Sequence, residues 1–93
     1  MENILMKVTQ TTSIYEVNGN SKPTCKDSRT RTRAVMSETE SQALTDAMNL
    51  FLAKSNQDGY LVQKINESVK EANITLVHID MPNTYKEVKI KIN

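Results

Sequence analysis

Apolar and polar positions in this chain recur with two different periods, and the changes of period divide it into elements. Ile4, Met6 and Val8 share one face at period two, which predicts a strand at the start. Ile14-Tyr15-Glu16-Val17 continues in β-favouring residues, as a second strand or an extension of the first. Asn18-Gly19-Asn20 with Ser21-Lys22-Pro23 is the strongest turn signal, since Gly and Asn tolerate positive φ and Pro has no N–H to donate. Ser28 to Met36 then reads Ser-Arg-Thr-Arg-Thr-Arg-Ala-Val-Met, a strict alternation that predicts a strand returning beside the Tyr15 region.

From Ser37 the period lengthens. Ser37-Glu38-Thr39-Glu40 has the spacing of a capping box, and Leu44, Ala47, Met48, Phe51 and Leu52 form an apolar stripe that predicts a helix to about Lys54. Ser55-Asn56-Gln57-Asp58-Gly59 breaks it. Leu61, Ile65, Val69 and Ala72 predict a second helix, with Val62 widening the stripe. Ile74 to Ile79 is dense in β-branched residues and reads as a buried strand; Met81-Pro82-Asn83 turns the chain. Finally Val88, Ile90 and Ile92 alternate with Glu87, Lys89 and Lys91, a strand with one dry and one wet face.

The resulting order, ββ(β)ααββ, predicts one α+β domain over residues 1–93, a two-layer sandwich with two helices on one face of a mainly antiparallel sheet. With a common strand orientation, the opposite face carries Arg29, Arg31, Arg33, Lys89 and Lys91. These five are the candidate partner-binding residues. Three guanidiniums in a row repel one another and suit acidic side chains or phosphates, which arginine engages bidentately. The competing reading is an edge strand whose charges block aggregation, with Glu16 or Asp27 neutralising part of the row.

Composition narrows the chemistry. The formal charge of +1 gives no sustained field for bulk nucleic-acid binding, but it is unevenly spread: residues 1–36 hold six Lys or Arg against three acids, and residues 37–72 reverse this. One cysteine, Cys25, permits neither an internal disulfide nor a cysteine-rich metal site. One histidine, His78, has Asp80 as its nearest candidate acid, and the expected role is a hydrogen-bonded histidine of the sheet rather than a general base. Two glycines build no phosphate-cradling loop. The expectation is no enzyme, no cofactor and no metal. Four aromatics (three Tyr, one Phe) offer little stacking surface for single-stranded nucleic acid. No apolar run spans a bilayer and the start lacks a secretory pattern, so a cytoplasmic protein without membrane contact is expected.

The leading functional expectation is a small non-catalytic protein that binds another protein as an inhibitor or adaptor, of a composition that suits a phage or mobile-element product. An alternative follows from Arg29 to Ala72, where an alternating polar strand, a Ser-capped helix, a Gly-containing turn and a second helix resemble the ribbon-helix-helix family of DNA-binding regulators. The resemblance implies a homodimer that inserts paired strands into the major groove through Arg29, Arg31 and Arg33, or through Thr30 and Thr32. A second alternative is a structural or assembly protein, which would form oligomers beyond a dimer.

Overall fold

The computed structural model describes residues 2–93 and, over these, contains β1 Ile4–Glu16, β2 Thr24–Ser37, α1 Glu40–Gln57, β3 Tyr60–Glu67, β4 Glu71–His78 and β5 Thr84–Ile92. The strands form a single antiparallel sheet in the order β2-β1-β5-β4-β3. The first two expected segments are one continuous strand, β1, and β2 begins four residues earlier than the alternation alone suggests. Together they make the long hairpin that dominates the molecule's 52 Å axis.

The two-helix sandwich is not the fold. Residues 60–72, expected as a second helix, are β3, a tight turn and the start of β4. The cause is a β-bulge. Val62 pairs with Leu76 and Lys64 with Thr75, so Gln63 is an extra residue that shifts the alternation. Val62 and Ile65 thereby reach the same sheet face, three apart rather than two. That offset, followed by Val69 in the turn, mimics helical spacing. Without a second helix, the ribbon-helix-helix arrangement is also not the architecture of this chain. The helix that does form starts later than its expected capping box. Ser37 is buried at the end of β2, and Thr39 is the cap, its Oγ1 accepting the Gln42 N–H at 3.0 Å.

Topology fixes where α1 lies. It leaves β2 and delivers the chain to β3, and these are the two opposite edges of the sheet, so it must cross the sheet and touches all five strands. Ala43, Leu44, Ala47, Met48, Phe51 and Ser55 face down onto Met6, Val8, Ala72, Ile74, Leu76, Val88, Ile90 and Ile92. Burying a Val, Leu or Ile side chain contributes roughly 1.5–3 kcal/mol each, so this single layer of contacts holds the helix to the sheet. At the far end Gly59, at φ +89°, turns the chain into β3; a Cβ there would stand 3.0 Å from His78 Nε2. The sheet's other face has no element packed against it among the described residues.

Candidate functional site

Pairing decides which way the arginines face. Across β1–β2, Val35 lies opposite Met6, Arg33 opposite Val8, Arg31 opposite Gln10 and Arg29 opposite Thr12. Met6 and Val8 are core residues, and Val35 packs on the core, so the arginine row stands on the helix side of the sheet. Lys89 and Lys91 pair with Thr11 and Thr9 and stand on the open side. The five sequence-derived candidates are therefore split between two faces, contrary to the common surface expected of them. Thr30 and Thr32 lie on the open face, where their hydroxyls meet those of Thr11 and Thr9 at 3.1 and 3.3 Å.

Because α1 runs away from β2 as it crosses, the Arg29 end of the strand is left uncovered. A cleft of about 220 Å³ opens there, with Gln10, Thr12 and Ile14 as floor, Arg29 and Arg31 on one side, and Phe51, Lys54 and Asp58 on the other. It continues towards Arg33 and Leu50 as a second hollow of about 350 Å³. Arg29 is held by Asp27 at 3.2 Å, and Glu16 is taken by Lys26 at 3.7 Å. Among the described residues Arg31, Arg33 and Lys54 make no ion pair, so the groove keeps a positive excess.

Lys86 is the residue that the sequence reading passed over. It lies opposite Ile14 on β5, only 8% exposed, and lines the cleft. Its Nζ sits 3.9 Å from the centre of the Tyr60 ring and 5.7 Å from that of Phe51, and among the described residues no carboxylate comes within ion-pair distance. Burial pushes its ammonium below the ordinary lysine value; Asp58 opposes the shift and Lys54 adds to it. The signal was available: extending Ile92, Ile90 and Val88 backwards by two puts Lys86 on the dry face.

The remaining candidates are structural in their geometry. His78 Nδ1 accepts the Asp80 backbone N–H at 3.1 Å, which leaves Nε2 to carry the proton and donate it to the Asp58 carbonyl, also at 3.1 Å. The Asp80 carboxylate is not the histidine's partner. Tyr60 meets the same ring edge-on at 4.8 Å. Cys25 is exposed at the hairpin end, its Sγ donating to the Asp27 carbonyl at 3.5 Å. No cluster of three or more metal-ligating side chains occurs among the described residues, and no helix is long and apolar enough to cross a membrane. Comparison with protein-family models, curated proteins and solved structures returned no match.

Proposed function

We propose that this chain is a non-catalytic binding protein, of inhibitor or adaptor type, whose partner is a protein presenting carboxylates to the arginine row of β2. One observation carries the reading: Arg29, Arg31 and Arg33 stand side by side on an exposed strand, and among the described residues two of the three have no counter-charge within ion-pair distance. Alternate side chains on a strand are about 6.8 Å apart, so a row of three presents a spaced cationic ladder rather than one point charge. Lys54 reinforces the same side across the groove. Guanidinium is weakly hydrated and forks onto carboxylates, which makes arginine the cation best suited to a partner's acidic groups. The only histidine has both ring nitrogens engaged by backbone, which supports a role in binding rather than proton transfer.

The test is a charge reversal on each face. Affinity for a Glu-rich peptide is measured for the native chain, for Arg31→Glu, and for Lys89→Glu on the open face. The expected result is a loss of tenfold or more, about 1.4 kcal/mol, for Arg31→Glu and little change for Lys89→Glu. Equal losses would mean diffuse attraction to a basic protein and would sink the reading. Tighter binding of duplex DNA than of the peptide, steeply weakened by salt, would move the partner to nucleic acid.

A further inference from the structure

We infer that the partner's acidic segment binds as an added strand on the free edge of β2, in extended conformation with acids at every second residue. This rests on the carboxylate-binding reading and specifies its geometry. Three observations support it. The sheet order ends at β2, so the ladder groups on its outer edge have no neighbour among the described residues. The edge is regular: from Asp27 to Ser37 the pairing with β1 runs residue for residue, and this stretch contains neither Pro nor Gly. The only bulge on β2 lies outside it, at Lys26. An incoming strand thus meets an uninterrupted template long enough for the usual five or six residues.

The third observation is the sign of the charge. If a second copy of this chain paired its own β2 antiparallel about Arg31, Arg31 would face Arg31 and Arg29 would face Arg33. Like charges directly opposite are unfavourable, so the row disfavours self-pairing in the central register. A strand carrying Glu or Asp at alternate positions meets the same row with the opposite sign in the same register. Its intervening side chains fall on the open face beside Ser28, Thr30 and Thr32, where small hydroxyls leave room for polar residues. The same charges that disfavour this self-pairing therefore favour an acidic partner strand.

Three synthetic peptides distinguish strand addition from attraction. The first alternates Glu with Thr; the second has the same composition with its Glu residues in one block. The third is the alternating peptide with alternate backbone amides N-methylated, which removes one edge's donors and leaves its charge intact. The expected result is binding of the first, weakened at least tenfold by Arg31→Glu, with the second and third each weaker by about tenfold or more. The bound first peptide should also slow hydrogen exchange at amides within Asp27–Ser37. If the methylated and blocked peptides bind as well as the first while Arg31→Glu still abolishes binding, strand addition is overturned and the carboxylate reading stands. If Arg31→Glu changes nothing, both fall.

Discussion

Two halves of one sheet face, under one helix, have opposite chemistry. Going from β4 through β5 and β1 to β2, one row reads Ala72, Ile90, Gln10, Arg31 and the next reads Ile74, Val88, Thr12, Arg29. In the half beneath α1 these residues are 0–2% exposed; β2 is exposed along nearly its whole length. The gradient shows how a chain with a single helix divides its surface. Only the part of the sheet that the helix crosses needs to be apolar, and the uncovered corner is free to carry charge. The third row breaks the rule twice, with Leu76 and Lys86 followed by Ile14 and Asp27. The lysine sits on the dry half and the isoleucine on the wet half, at the place where the cleft opens.

The largest effect should come from the dry half. Ile90, fully buried between Gln10 and Ala72, leaves a cavity when cut back, and Ile90→Ala is expected to cost about 2–5 kcal/mol of unfolding free energy in denaturant titration. In the same row, Arg31→Ala should stay within about 0.5 kcal/mol, because an exposed unpaired cation contributes little to stability. Comparable losses at the two positions would mean that the arginine half is covered by structure and would end the comparison.

Lys86→Met tests the exception. Methionine fills similar space against Phe51 and Tyr60 without a buried charge, so stability at neutral pH should rise by on the order of 1 kcal/mol. The pH dependence has a defined sign. Burial lowers the folded-state value, so between that value and the unfolded one near 10.5 the unfolded chain binds more protons. The Lys86 contribution therefore makes the native protein more stable as pH rises through this window, and Lys86→Met should remove that gain. Tyr60 acts in the opposite direction above pH 10: burial, with Asp58 adding to it, raises its value, so stability falls as the unfolded chain ionises first. A variant less stable than native at pH 7 would show that the ammonium is compensated where it lies.

This gradient was only partly legible in the sequence. Period-two patterns marked the start of β1, residues 28–36 of β2 and the end of β5, the stretches that alternate without interruption. Residues 60–67 were misread because the bulge at Gln63 inserts one residue into the alternation, and a spacing of three or four is what a helix also produces. The facing of the arginines was readable yet missed. Val35 shares their parity and packs on the core, so Arg29, Arg31 and Arg33 had to point towards the helix. Lys86 shows the opposite weakness of pattern reading: a charged residue in phase with Val88, Ile90 and Ile92 breaks the apolar pattern, yet it is buried on the same face. Which half of the face the helix covers depends on sheet order, and that order is not written in any local period.

The smallest expected effect lies on the open side, where the contrast between halves should vanish. Thr30 and Thr11 share a hydroxyl contact at 3.1 Å, flanked by Thr9 with Thr32 at 3.3 Å and Ser13 with Ser28 at 3.0 Å. Across β5 the same face carries Lys89 bound to Glu71 at 3.0 Å, a contact that holds the Glu71 carboxyl below its ordinary value. All these groups are reached by water, so each contact replaces hydration rather than adding to it. Thr30→Val keeps the branched shape a strand prefers and removes only the hydroxyl, and thermal unfolding should register a change of no more than about 0.5 kcal/mol. A loss several times larger would mean that the open face is buried in solution. The sheet would then have a second covered side, and the division of labour between its two halves would no longer be set by the helix alone.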